Sequence, residues 1–177
     1  MLKFTKNRKY KMKLVKESLN EFGKGNSPLE TMGLGRTNEI HRIFARLNIP
    51  KDNYRIESDN TIFYEWSCNL AYREVPELPD NLIINGYLDL RYSTITKLPE
   101  NLIVKGALAL SGTAIKEIPN NTSLVSLYLL DCMNITELPD NLYFTESDNK
   151  ILVNNSQKEL IKWIVNSKYA DKLEVNY

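Results

Sequence analysis

The chain of 177 residues is about one domain long. Its 42% apolar and 25% charged residues are those of a folded protein rather than a disordered one. A formal charge of +1 excludes a whole-chain attraction to nucleic acid, and two cysteines and one histidine supply neither a disulfide framework nor a zinc cluster. No apolar run approaches the ~18 residues that a membrane span needs.

The N-terminus is locally basic. Lys3, Lys6, Arg8, Lys9, Lys11, Lys13 and Lys16 all precede the first acid, Glu17. Such an arm could meet phosphate or an anionic surface, but a solvated or frayed terminus is the simpler reading. No apolar stretch follows the basic start, so a secretory signal is not expected. An intracellular, reducing setting is expected, cytoplasmic in a bacterial host and with virion association as an option.

Residues 12–22 read as a short amphipathic helix bearing Leu14, Val15, Leu19 and Phe22 on one side. Ser27-Pro28-Leu29-Glu30 has capping-box form and predicts a brief helical turn, ended by Gly33 and Gly35. Thr37 is the expected N-cap of a helix over 38–48, in which Ile40, Ile43, Phe44 and Leu47 fall on one stripe. This stripe must be buried somewhere, and the exposed N-terminal end of the downstream fold is the natural place. Residues 54–56 and 61–63 then predict a hairpin across Ser58-Asp59-Asn60.

From there a 20-residue period takes over. Pro79, Pro99, Pro119 and Pro139 are each preceded by Leu or Ile. Counting back from Leu82, Ile84, Leu88, Leu90, Ile95 and Leu98 gives Ile62, Tyr64, Cys68, Leu70, Val75 and Leu78, all apolar. Residues 58–77 are therefore a degenerate first unit, with Trp66 where later units have Gly86 and Gly106. In each unit the alternation Leu82/Ile84/Gly86/Leu88/Leu90 predicts one extended segment with one side inward, and the glycines predict a bend or close approach. Units that bury an apolar edge only against their neighbours make a solenoid. Cys68 and Cys132 occupy apolar positions in it and read as small buried hydrophobes. Residues 151–153 predict a closing strand, and Ser156-Gln157-Lys158-Glu159 predicts a capping box opening a helix over 157–168 that caps the stack.

The frame LPxNLxVxGxLxLxxTxIxxLP resembles the short LPX-type leucine-rich repeats of bacterial proteins and of large bacteriophage genomes, over residues 58–144. MKLVKESLNEF...SPLETMGLGR is similar to the opening of small uncharacterised phage proteins that carry such repeats. The resemblance implies an α+β fold: a solenoid of about four repeats over 51–153, an N-terminal arm and helical cap over 1–50, and a C-terminal capping helix over 154–177. Secreted effectors with these repeats and ubiquitin-ligase activity resemble the chain only in the repeats, so that activity is not carried over.

The glycine-rich stretches 23–27 and 33–37 lack phosphate-loop spacing and read as turns. His41 stands off the apolar stripe and is expected to be exposed or half-buried. No constellation for acid–base or nucleophilic chemistry is found, so no catalytic residue, cofactor or metal is expected. What remains is the concave sheet face. There Asn69, Tyr87, Asp89, Arg91, Ser111, Ser126, Tyr128 and Leu130 flank the inward leucines, with Ala107 and Ala109 as a shallow dip. Tyr and Arg are types enriched where binding energy concentrates. A non-enzymatic module gripping a protein partner with this face is the leading expectation. Self-association through the N-terminal helices, as in a virion assembly protein, and anion or nucleic-acid binding by the basic arm are the alternatives; the oligomeric state is open.

Overall fold

The computed structural model describes residues 34–177; the expected helices over 12–22 and near 28–33, and the basic arm, lie outside them. The compact unit considered below spans Ile40–Tyr177. Helix α1 (Leu34–Arg46) leads into it. It begins before Thr37, so that residue and Gly35 lie inside the helix rather than at its start. The stripe Ile40, Ile43, Phe44 and Leu47 is buried as its spacing requires. Phe44 meets the Tyr54 ring edge-on at 4.3 Å, and His41 Nδ1 lies 2.6 Å from the Tyr54 hydroxyl. Burial and the nearby Lys51 charge hold the half-buried His41 below the usual imidazole pKa. Arg73 donates to the Leu47 carbonyl at 2.6 Å and thereby satisfies a group the helix end leaves unpaired.

Strands β1 (Tyr54–Ile56) and β2 (Ile62–Tyr64) form the expected hairpin, paired antiparallel with Arg55 opposite Phe63. Thr61 N–H donates to the Asp59 carboxylate at 2.9 Å, and Asn60 takes a left-handed backbone to close the turn. Strand β3 (Cys68–Asn69) completes the first coil. Each later coil supplies two strands: β4 (Leu82–Ile84) and β5 (Leu88–Asp89), β6 (Ile103–Val104) and β7 (Ala107–Ala109), β8 (Ser123–Leu124) and β9 (Ser126–Tyr128), β10 (Tyr143–Phe144) and β11 (Ile151–Asn154). Helix α2 (Lys158–Val165) and strand β12 (Leu173–Asn176) end the chain.

These strands stack into two six-stranded sheets, β1-β2-β4-β6-β8-β10 and β12-β11-β9-β7-β5-β3, parallel throughout except at the opening hairpin. The result is a β-solenoid. The expected single extended segment is in fact two short strands in different sheets, broken at Asn85–Tyr87 and its equivalents. The stack also outruns the expected four repeats, because β11 and β12 continue the second ladder.

Register follows the period. Ile62 pairs with Leu82, and Cys68 with Leu88, Leu108 and Leu127 in turn. Identical positions therefore sit one strand spacing apart, about 4.8 Å, and the inward columns merge into one core. The apolar positions found by counting back, Ile62, Tyr64, Cys68, Leu70, Val75 and Leu78, are all buried. Polar positions stack by the same rule: Asn101 Nδ2 donates to Asn81 Oδ1 at 2.9 Å, and Lys105 Nζ to Asn85 Oδ1 at 3.1 Å.

The chain rounds its corners through left-handed residues. Asn81, Asn101 and Asn121 occupy one such column, in keeping with asparagine's tolerance of positive φ. Tyr72, Tyr92, Gly112 and Asp131 occupy the other. Thr122 stands in a leucine column and is fully buried; its hydroxyl is satisfied by donating to the Pro119 carbonyl at 2.7 Å.

The C-terminal end departs from expectation twice. The helix is shorter than 157–168, and no side-chain capping bond forms at its start. Gln157 instead points into the last coil, donating to the Cys132 carbonyl at 3.1 Å and accepting from Asn154 N–H at 2.7 Å. Beyond α2 the chain forms β12, which was not expected; it extends the second sheet parallel to β11, with a Lys150–Glu174 ion pair at 2.9 Å. Leu160 and Ile164 of α2 are buried in the core.

Candidate functional site

The second sheet turns one side of β3, β5, β7, β9, β11 and β12 to the interior and the other away from it. Register sets Asn69, Asp89, Ala109, Tyr128, Leu152 and Glu174 in one outward column. Asp89, Ala109 and Tyr128 thus line up across three adjacent strands. Tyr92 N–H donates to the Ser111 carbonyl and Gly112 N–H to that of Leu130, which carries Arg91, Ser111 and Leu130 as a second column.

Solvent reaches these residues unequally. Asn69, Tyr87 and Arg91 are exposed, and Tyr128 and Leu130 are half-buried. Asp89, Ser111 and Ser126 are buried despite facing outward. For Asp89 the cause is Arg91, two residues on, which folds over it. The carboxylate accepts from Arg91 N–H at 3.1 Å, Nε at 2.9 Å and Nη2 at 2.6 Å. Asn69 repeats the backbone part of this turn one coil earlier, accepting from Ala71 N–H at 3.0 Å. The face is therefore a floor of small or paired side chains with Tyr87 and Arg91 standing above it.

The Arg91 guanidinium holds the Asp89 carboxyl below the usual carboxylate range, against the opposing effect of burial. A carboxyl lowered in the folded state adds stability above its unfolded pKa, near 4, and loses it as pH falls through the folded value. Arg91 is half exposed, which screens the pair. Asp89→Asn is expected to cost about 1 kcal/mol at neutral pH. Urea titrations of the two proteins at pH 7 and at successively lower pH should show that gap narrowing below about 4.

Two residues bordering this face escape detection by strand alternation. Tyr72 and Tyr92 stack with centroids 5.1 Å apart and planes 15° from parallel. Both have left-handed backbones, a conformation that costs a non-glycine residue about 1–2 kcal/mol. The Tyr92 ring lies over Gly112, where a Cβ would strike it. Their 20-residue spacing was the available signal. Trp66, in the end coil, projects into solvent at the position that Gly86 and Gly106 fill inside the stack.

The described residues offer little for covalent or metal chemistry. Burial pushes the Cys68 thiol up to about 11 and raises that of Cys132, so both are protonated at neutral pH. Among the described residues no group of three or more His, Cys, Asp or Glu could hold a metal ion. No helix among them is long and apolar enough to cross a membrane. No protein-family model, curated protein or solved structure matches the chain.

Proposed function

We propose that the chain is a non-enzymatic leucine-rich repeat module of bacterial or phage type that binds a partner protein through the outward face of its second sheet, the face expected to be concave. One observation carries the reading. Tyr87 and Arg91 stand exposed at the two ends of β5, beside an Asp89 carboxylate that Arg91 already pairs, and β5 is fixed in register by the coils on either side. A surface ordered before the partner arrives spares most of the entropy of arranging it on contact. Aromatic and arginine side chains held in this way are those from which binding energy is usually drawn.

The test is affinity capture from host extract, followed by titration of the identified partner against purified variants. Tyr87→Ala combined with Tyr128→Ala is expected to weaken that partner at least tenfold, about 1.4 kcal/mol. Neither side chain belongs to the buried core, so the urea midpoint should hold. A partner bound equally well by the double variant would remove this face from consideration.

A further inference from the structure

A concave region lies away from the outward sheet face. Helix α2, the turn around Thr136–Asp140 and the loop ending at Tyr169 enclose an open cleft of about 840 Å³. A smaller depression of about 150 Å³ shares Thr136 and Glu159 with it and continues past Met133. The two adjoin at these residues, side by side along α2.

One wall of the cleft is aromatic. Trp163 is half-buried and stacks on Tyr169 at 6.2 Å, with the planes 28° apart. Tyr169 is fixed in turn by its hydroxyl, which donates to the Pro139 carbonyl at 2.7 Å. The indole is therefore held in place before any ligand comes. The remaining lining is polar. Ser167 is engaged with Ile164 and Tyr169, and Lys168 donates to the Asp140 carbonyl and lies over the Tyr169 ring, while the rest is unspent. Among the described residues, the side chains of Thr136, Asp140, Glu159 and Lys162 make no hydrogen bond or ion pair, and Asn166 uses only its NH₂, donating to the Lys162 carbonyl at 2.7 Å.

Charge narrows the ligand class. Asp140 and Glu159 are balanced by Lys162 and Lys168, so the lining is formally neutral. A nucleotide or phosphate would find two carboxylates facing it, and a polycation two ammonium groups. The free groups are mostly acceptors, which suits a ligand rich in hydroxyl donors. The aromatic wall asks the same ligand for an apolar face. A pyranose ring has both, and a cleft of about 840 Å³ has room for more than one ring.

We propose that this cleft binds a short, uncharged oligosaccharide, with Trp163 stacking against one sugar ring and Asp140 and Glu159 accepting from its hydroxyls. The site is separate from the outward face of the second sheet, so either assignment can fail without the other.

The chain has two tryptophans, and Trp66 is exposed, so Trp66→Phe leaves Trp163 as the only indole reporter. The full chain carrying that change is titrated with cellotriose, maltotriose and chitotriose, following indole emission and, in parallel, heat. At least one trisaccharide is expected to give a saturable change in both signals. Asp140→Asn with Glu159→Gln should weaken it tenfold or more while the thermal midpoint stays in place, and Tyr87→Ala with Tyr128→Ala should leave it unchanged. The proposal is overturned if none of the three saturates by about 10 mM. Equal affinity in the carboxylate double variant overturns it as well, as does saturation by an uncharged Gly/Ser hexapeptide in place of the sugars.

Discussion

Gly106→Ala is expected to lower the unfolding free energy by about 2–3 kcal/mol, at the upper end of what overpacking costs. A methyl at this corner would stand 2.9 Å from the carbonyl carbon and oxygen of Gly86 and 3.0 Å from the Tyr87 nitrogen. These are main-chain atoms of the adjacent coil, and that coil is locked in turn: the Tyr87 carbonyl accepts from Cys68 N–H at 2.8 Å. The neighbour cannot give way as a flexible side chain would, so the coils must part locally and weaken the ladder on both sides. Gly86→Ala meets main-chain atoms slightly less closely, the Ser67 nitrogen at 3.0 Å and Cα at 3.1 Å. Its nearest clash is the Ser67 hydroxyl, which can rotate away by giving up the bond it accepts from Tyr87 N–H, and Ser67 belongs to the first coil. Its cost should be smaller. Urea titrations should show a lower midpoint with an unchanged slope for both variants, in the order Gly106 before Gly86. A Gly106→Ala protein melting with the wild type would mean that the coils are not packed backbone to backbone at this corner.

Tyr169→Ala should be at least as damaging, at about 3–5 kcal/mol for a buried aromatic side chain. The ring contacts Phe144 edge-on at 6.0 Å and Trp163 face-on, joining the last coil to helix α2. Its hydroxyl donates to the Pro139 carbonyl and accepts from Leu142 N–H at 3.3 Å. Truncation opens a cavity and strands buried backbone groups in the last coil. Tyr169→Phe keeps the ring and should cost only about 1–2 kcal/mol. Coils couple mainly to their neighbours, so the loss should be graded along the molecule. Native-state hydrogen exchange should show amides of residues 124–154 losing protection before those of residues 62–90. Uniform loss across both segments would mean a single cooperative block and would discard the nearest-neighbour picture.

The stacking of the chain was legible in its sequence because each side chain meets the same surroundings every 20 residues. Ile62, Leu82 and Leu102 could be aligned by counting, and burial followed. Where the segment divides between two sheets could not be counted out. Alternation runs unbroken through Leu82, Ile84, Gly86, Leu88 and Leu90, so the pattern is silent about the bend at Asn85–Tyr87. The capping box at Ser156–Glu159 misled because Gln157 found better partners in Cys132 and Asn154, which are distant in sequence or in the preceding strand. Strand β12 lacks the Leu-Pro frame, and only its ladder with β11 identifies it. On the sheet face, alternation placed Asp89 outward correctly but could not say that Arg91 would cover it. The cleft beside α2 joins Thr136 and Asp140 to Glu159 and Trp163, and no local spacing announces such an encounter.

The left-handed asparagines at Asn81, Asn101 and Asn121 recur where three successive turns of the solenoid begin. They divide the middle of the molecule into interchangeable cassettes, since the joints on either side of residues 98–117 are chemically alike. Length along the stacking axis is therefore a freely adjustable dimension of this architecture. A duplicated or deleted cassette moves the two ends apart or together by one step and leaves every remaining joint intact.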